Sequence, residues 1–251
     1  MGYLEWLDEE YSLFRDAVAA AEPSVPVPTC AGWTMDTLVR HLARVYLHKA
    51  TLLRTGDWPK DWPPPGLAAE PGLALLARAY RTLTAELTAR GPEAAAVTWY
   101  EPDQTVGFWF RRMAHETVIH RVDAELAAGL PAAHIPDDLA VDGIDEVLNC
   151  FLACFFPKAI ARMPGEQLAG QEGTETVVVA AGAASWTVRP FRSHEVSVRA
   201  GVHGQPRARV EGAPGSLLRW LWGRAGDDAI RVTGDPAWAD YLRRMLIAAT
   251  Q

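Results

Sequence analysis

The feature that most constrains the fold is a change in the spacing of apolar residues after about residue 170. Before it, apolar side chains recur every three or four residues, which predicts helices with one buried face near 3–21, 34–53, 70–90, 107–128 and 137–157. After it, short runs rich in Val and Thr predict strands near 174–179, 185–188, 195–198 and 207–210. A helix near 215–222, a strand near 230–232 and a helix near 236–249 complete the pattern. The sequence therefore predicts a mixed fold, an all-α unit followed by a smaller α+β unit.

Proline and glycine positions divide the first part into helices of similar length. Pro23, Pro26, Pro28 and the prolines at 59 and 63–65 fall between helical segments. Thr34 is an expected N-cap, and Gly129 stands where a C-cap glycine belongs. Short links between similar helices are typical of an antiparallel four-helix bundle.

The fifth helix is expected to end at Pro157, where the chain turns towards its second part. Between Pro157 and Glu172 the sequence holds Pro164, Gly165 and Gly170, a composition typical of a linker. We therefore expect a helical domain over residues 1–160 and an α+β domain over residues 170–251.

Composition excludes several classes of function. The 251 residues carry a net charge of −7, which leaves no basic surface for nucleic acid or for an anionic membrane. No apolar run reaches membrane-spanning length, and the acidic N-terminus does not resemble a secretory signal. Three cysteines are too few for a disulfide framework and indicate a reducing, cytoplasmic location. Both a monomer and a homodimer remain open.

Two residues of the fourth helix predict a metal site. Glu116 and His120 are four apart, so their side chains lie one turn apart on the same helical face. His41 lies among apolar residues of another helix, which could supply a third ligand. Two imidazoles and one carboxylate leave a coordination position open, which is the pattern of a catalytic Zn²⁺ or another divalent metal.

A simple surface pair, with Glu116 accepting a hydrogen bond from His120, is the alternative interpretation. Asp123 is expected beside His120, as a partner of its ring or as a further ligand, and Arg112 could orient Glu116. His115 points about 140° away from His120 around the helix, so we expect it to have a structural role or to support a ligand residue without binding the metal itself. His48 lies too far along its helix from His41 to bind the same ion. It could line the pocket or be an ordinary half-buried histidine.

The cysteines and tryptophans allow further interpretations. Cys150 and Cys154 are better explained as small apolar residues than as a metal or redox pair. Cys30 could be a nucleophile, although nothing near it in the sequence would lower its pKa. The tryptophans of the first part could line an apolar pocket or fill core, and they stand at Trp58, Trp62, Trp99 and Trp109.

Two segments carry a resemblance to a known family. One runs Cys30-Ala-Gly-Trp33-Thr34-Met-Asp36-Thr-Leu-Val-Arg-His41, and the other runs Arg112-Met-Ala-His115-Glu116-Thr-Val-Ile-His120-Arg121-Val-Asp123-Ala-Glu125. Both resemble the mycothiol-dependent maleylpyruvate isomerase family, whose N-terminal domain is a DinB-like metal-binding four-helix bundle. The segment Leu217-Leu-Arg-Trp220-Leu-Trp222-Gly223-Arg224 is similar to part of the smaller C-terminal domain of that family.

The resemblance implies zinc held by His41, Glu116 and His120, and mycothiol, the small thiol of actinobacteria, as cosubstrate. It also implies an arginine of the second domain that serves the site. Arg224 is our candidate, with Arg219 and Arg231 as alternatives. The expected activity is isomerisation of a small activated unsaturated acid. Transfer of the thiol to an electrophile and non-catalytic metal binding are the alternatives.

Overall fold

The computed structural model describes residues 2–160, 175–190 and 195–250. Its contacts separate the chain into two compact units, Met1–Ala133 and His134–Gln251. The first unit is built on four long helices, α1 (Tyr3–Ala19), α2 (Met35–Thr55), α3 (Gly72–Arg90) and α4 (Val106–Ala127). The predicted helices of this part are therefore confirmed, each to within a few residues.

Local signals in the sequence explain where α2 begins and ends and where α4 ends. The Thr34 hydroxyl accepts a hydrogen bond from the backbone N–H of Thr37 at 3.4 Å, as expected of an N-cap. Gly56 ends α2 with a φ of 73°, a left-handed conformation that glycine adopts without steric cost. After α4, Gly129 has a φ of 68°, and the N–H of Leu130 bonds to the carbonyl of Glu125 at 2.9 Å.

Helix α4 lies at the centre of the first unit. It packs against α1 and also contacts α2 and α3, so most of its side chains are buried. One buried ion-pair group fixes it to α1, because Arg121 of α4 contacts Glu10 of α1 as well as Glu125. A hydrogen bond of 2.6 Å between the Tyr46 and Thr117 hydroxyls joins α2 to α4. These contacts fix the two helices that carry the predicted metal ligands.

Within the residues that the structure describes, the second unit contains a five-stranded sheet and four α-helices. Its strands are β1 (Val177–Ala181), β2 (Ala184–Pro190), β3 (Val196–Ala200), β4 (Ala208–Gly212) and β5 (Arg231–Gly234). Its helices are α5 (Asp137–Glu146), α6 (Ala153–Ile160), α7 (Pro214–Leu221) and α8 (Pro236–Thr250). The strand order is β3-β2-β1-β4-β5, with β1 antiparallel to β2 and parallel to β4. The predicted α+β character is confirmed.

The core of the second unit surrounds β1. All five residues of that strand are buried, because α8 packs on the sheet at β1, β4 and β5. Trp220 of α7 and Trp238 of α8 are among the largest buried side chains. A strand enclosed on both faces is rich in valine rather than alternating in polarity, as the sequence of β1 is.

The fifth predicted helix differs from expectation. It continues from α5 through a π-helical segment, Val147–Leu152, into α6, and Pro157 lies inside α6 rather than at its end. The expectation that the helix ends at Pro157 is therefore wrong. A proline clashes with the carbonyl four residues earlier, which here belongs to Ala153, directly after the π-helical segment. The backbone ladder is already irregular at that point, and a helix tolerates proline there.

The contact division falls after Ala133, earlier in the chain than the expected boundary between Pro157 and Glu172. The reason is that α5 packs against α7 and the π-helical segment against α8, so both belong with the sheet. Residues 161–172 of the expected linker lie outside the described residues. No helix in the described ranges is both long enough and apolar enough to cross a membrane.

Candidate metal centre

Helices α2 and α4 bring the three predicted ligands together. The Nε2 atom of His41 lies 3.3 Å from Oε1 of Glu116, and Nε2 of His120 lies 3.3 Å from the same oxygen. One ligand atom from each residue falls within 4.8 Å of the other two. The imidazole rings of His41 and His120 meet edge to face, with their centroids 4.9 Å apart. Two nitrogens and a carboxylate oxygen therefore converge on a common point.

The ring of His120 is held from behind by Asp123. The Nδ1 atom of His120 lies 2.9 Å from Oδ2 of Asp123, whose side chain is fully buried. This hydrogen bond leaves Nε2 directed towards Glu116, which is the tautomer that a metal ligand needs. Carboxylate support of this kind is common behind zinc-bound histidines. The donor set and its support therefore fit Zn²⁺, and Asp123 lies behind His120 as the sequence spacing indicates.

Residues of the loop before α2 also contact the carboxylate of Asp123. The hydroxyl of Thr29 donates a hydrogen bond to Oδ1 of Asp123, and the Cys30 thiol lies 3.6 Å from Oδ2. Trp33 packs on the imidazole of His41, with a centroid distance of 4.7 Å, and lies 6.3 Å from the ring of His120. Thr29 is a residue that the sequence analysis missed, because a loop threonine carries no helical or motif signal of its own.

Charge on Glu116 is controlled by its neighbours. Its Oε2 accepts a hydrogen bond from the guanidinium of Arg112, as the i,i+4 spacing suggests, while Oε1 faces the two imidazoles. Burial alone would raise the pKa of Glu116, but Arg112 and the imidazoles outweigh burial and hold that pKa well below its usual range. Glu116 is therefore a carboxylate at neutral pH, which is the form that binds a metal.

The pKa of His120 is raised rather than lowered, and here too the neighbouring charged groups outweigh burial. Burial would lower its pKa, yet the hydrogen bonds to Asp123 and Glu116 raise the pKa of His120 to about 9. Two carboxylates therefore favour a positive charge at this position. A divalent cation supplies that charge and replaces the proton, so metal and proton compete for the site.

A second group of residues lies farther along α2. Lys49 is half-buried and its ammonium lies over the rings of Trp58 and Trp109. His48 is half-buried beside Trp58 and Trp62, with ring centroids 5.9 Å and 4.9 Å away. Burial and the neighbouring Lys49 lower the pKa of His48 to about 4. The sequence analysis missed Lys49, because a single lysine on a helix resembles an ordinary solvated residue.

Other residues singled out in the sequence are not members of the group of three ligands found among the described residues. His115 is buried on α4, with its ring edge to face with that of Tyr3. Cys150 and Cys154 are free cysteines of the second unit, and Cys150 is buried. Among the four tryptophans, Trp109 is fully buried and donates its indole N–H to the carbonyl of Val97.

The three candidate arginines of the second unit differ in exposure. Arg224 is half-buried and donates a hydrogen bond from Nη1 to the carbonyl of Trp222 at 2.6 Å. Arg219 is half-buried on α7, whereas Arg231 is exposed and lies 3.6 Å from Glu211. The role expected for one of them stays a prediction.

Comparison with known proteins covers nearly the whole chain. Residues 4–125 match the profile of the mycothiol maleylpyruvate isomerase N-terminal domain, and residues 138–240 match that of its C-terminal domain. Among curated proteins, no sequence matches. The two matched ranges agree with the two compact units and leave the segment around Ala133 between them.

Two solved structures share the fold. The crystal structure of the mycothiol-dependent maleylpyruvate isomerase aligns with a TM-score of 0.60 at 15% identity, covering 92% of this chain and 91% of that one. A histidine-to-alanine variant of that isomerase aligns equally well, at 14% identity and with the same coverage. At such identities the likeness shows the fold alone. Because the two domain profiles together span the chain from residue 4 to residue 240, the chain belongs to the mycothiol-dependent maleylpyruvate isomerase family.

Proposed function

We propose that this chain is a zinc-dependent enzyme that uses mycothiol to isomerise a small activated unsaturated acid. The observation that carries the proposal is the convergence of His41, Glu116 and His120 on one point, with a supporting carboxylate behind His120. A structural zinc is usually closed by four protein ligands, whereas three ligands leave a position for a substrate atom. Membership of a thiol-dependent isomerase family supports a thiol as the occupant of that position.

In this proposal the residues of the chain divide into two groups. His41, Glu116 and His120 would hold the metal, and a bound zinc ion would favour the thiolate form of the cosubstrate near neutral pH. Asp123 fixes the ring of His120, and Arg112 keeps Glu116 ionised and oriented. Positioning of this kind matters because a ligand set that rotates freely loses metal affinity.

The reaction would need no net consumption of the thiol. The thiolate would add to the cis double bond, and rotation about the resulting single bond would follow. Loss of the thiol would then give the trans acid. An arginine of the second unit, with Arg224 as our candidate, would bind a carboxylate of the substrate or of the thiol.

Metal content is the first test of this proposal. We expect about one zinc per chain in the wild type, measured by elemental analysis, and loss of zinc in the variants His41→Ala and Glu116→Ala. The matched control is His134→Ala, which removes an exposed histidine and should leave the zinc content unchanged. Retention of zinc in His41→Ala would refute the ligand assignment.

Thiol balance is the second test, because an isomerase regenerates its thiol and a transferase does not. With mycothiol and an activated cis acid, we expect formation of the trans acid without loss of free thiol. Stoichiometric thiol consumption would favour transfer to an electrophile instead. Absence of any thiol binding by the zinc-loaded protein would favour non-catalytic metal binding. Arg224→Met should raise the KM for the acid, and an unchanged KM would assign the role to another arginine.

A further inference from the structure

Lys49 lies in a corner formed by two indole rings. Its Nζ is 4.7 Å from the ring centroid of Trp109 and 5.1 Å from that of Trp58. The two indoles are nearly perpendicular, with an interplanar angle of 81° and centroids 6.1 Å apart. Trp109 is fully buried and Trp58 is half-buried, so one side of the corner is enclosed and the other reaches solvent.

The ammonium of Lys49 has donors that the described residues do not use. An ammonium has three N–H groups and no acceptor, so the contact of 3.3 Å with Nδ1 of His48 must be a bond that Lys49 donates. No carboxylate in the described ranges forms an ion pair with Lys49. The indole faces attract the cation but accept no conventional hydrogen bond. Two N–H groups therefore remain for a partner outside the described protein.

Lys49 belongs to the same helix pair as the three predicted ligands. Trp109, Arg112 and Glu116 follow one another along one face of α4, because spacings of three, four and seven residues bring side chains together. Seven residues correspond to about 10.5 Å along the helix axis, which is the axial separation of Trp109 and Glu116. The charge of Glu116 acts on Lys49 and raises its pKa against the effect of burial, so the ammonium lies within electrostatic range of the candidate centre.

The charges around Glu116 leave room for an anion once a metal is bound. Arg112 and Lys49 are two cations near Glu116, and two carboxylates, those of Glu116 and Asp123, balance them. Burial lowers the pKa of Lys49 to about 8, a shift that Glu116 opposes, so the ammonium remains mostly charged at neutral pH. A metal in the centre would add further positive charge. An anion is therefore the ligand that this region accommodates best.

We propose that Lys49, walled by Trp58 and Trp109, binds one carboxylate of a flat unsaturated acid whose other end faces the metal centre. This inference rests on the proposed function for the position of the reacting end. The ammonium supplies a charge-assisted bond to the carboxylate, and the indole faces suit a planar conjugated chain. Lys49 is thus a binding residue that selects dicarboxylates over acids with a single charged end.

The test measures affinity for two probes that differ in one charge. Maleate has two carboxylates, and maleamate replaces one of them with a neutral amide of nearly the same shape. By titration calorimetry on the zinc-loaded full chain, we expect the wild type to bind maleate about tenfold or more tightly than maleamate. In Lys49→Met that preference should fall to within about twofold, while Lys49→Arg should keep part of it. Lys60→Met is the matched control, because Lys60 is exposed in the nearby proline-rich loop.

A second readout does not depend on zinc or on turnover. The chain has three lysines, Lys49, Lys60 and Lys158, so acetylation of each can be followed by mass spectrometry. In the metal-free wild type, maleate should slow acetylation of Lys49 and leave that of Lys60 unchanged. Protection without zinc binding would support the subsite even if the proposed function failed. An unchanged maleate preference in Lys49→Met, or equal acetylation rates with and without maleate, would overturn the inference.

Discussion

Arg121 gives the sharpest prediction about stability. Its side chain is 0% exposed, and it ion-pairs with Glu10 of α1 and with Glu125, which are 2% and 5% exposed. Its Nη1 lies 2.8 Å and 2.7 Å from the two carboxylate oxygens of Glu125. Replacing Arg121 by methionine keeps much of the volume but leaves two buried carboxylates without their cation.

The expected cost follows from that geometry. Removing one partner of a buried ion pair typically costs about 3–5 kcal/mol, and here two carboxylates lose the same partner. Burial already raises the pKa of Glu10 against the opposing effect of Arg121, so loss of the arginine favours protonation of Glu10 and limits the cost. We therefore expect Arg121→Met to lower the free energy of unfolding by about 4 kcal/mol.

Urea denaturation monitored by circular dichroism measures this change. The control Arg81→Met removes an exposed arginine and should change the free energy of unfolding by less than about 0.5 kcal/mol. Adding Glu10→Leu and Glu125→Met to Arg121→Met should recover most of the loss, because an apolar replacement of a whole buried ion group is often neutral. A loss below about 1 kcal/mol in Arg121→Met would refute the reasoning.

Three further predictions concern the metal centre and its surroundings. Asp123→Asn should weaken zinc binding about 10- to 100-fold, because the side chain that holds the ring of His120 loses its charge. A competition titration with a chelator measures this affinity, and an unchanged value would refute the supporting role of Asp123. Below pH 9, zinc affinity should increase about tenfold for each unit by which the pH rises, because a proton on His120, whose pKa is raised to about 9, competes with the metal. A zinc affinity that does not change with pH would contradict this prediction. The pKa of His48 is lowered from 6.5 to about 4, so stability contributed at this position is present above pH 6.5 and lost as the pH falls through 4. The full shift corresponds to about 3 kcal/mol, which solvent screening reduces to about 1 kcal/mol. The difference in free energy of unfolding between wild type and His48→Gln should therefore be constant above pH 6.5 and change by about 1 kcal/mol, to the disadvantage of the wild type, as the pH falls to 4; a difference that stays constant over this range would contradict the assignment.

Periodicity predicted most elements of the fold because most of the helices bury one dominant face, although α4 and β1 are buried on most sides. The N-cap at Thr34 and the glycine after α4 also followed from local chemistry. What periodicity could not show is the partner of an amphipathic helix. The face of α5 is apolar whether it packs on a bundle or on α7, so the sequence alone assigned it to the first domain. The helical continuation through Pro157 depends on a π-helical segment that no residue pattern announces.

The candidate site shows the same division between local and long-range information. The Glu116–His120 spacing fixes a shared helical face, and this part of the site could be predicted. The contribution of His41 needs a second helix at the correct height, which the Tyr46–Thr117 hydrogen bond helps to set across 71 residues of sequence. Thr29 and Lys49 act through tertiary contacts alone, so nothing in their neighbouring residues distinguishes them.

The carboxylate of Asp123 is shared among the loop residues Thr29 and Cys30 and the imidazole of His120. This sharing couples the position of the loop to the orientation of a predicted metal ligand. A substitution at Thr29 that reshapes the loop also removes a hydrogen bond from the carboxylate that orients His120. The shape of the loop and the orientation of His120 are therefore linked, and a change in the first should alter the second. By thermodynamic reciprocity, loading of the metal should also restrain the loop.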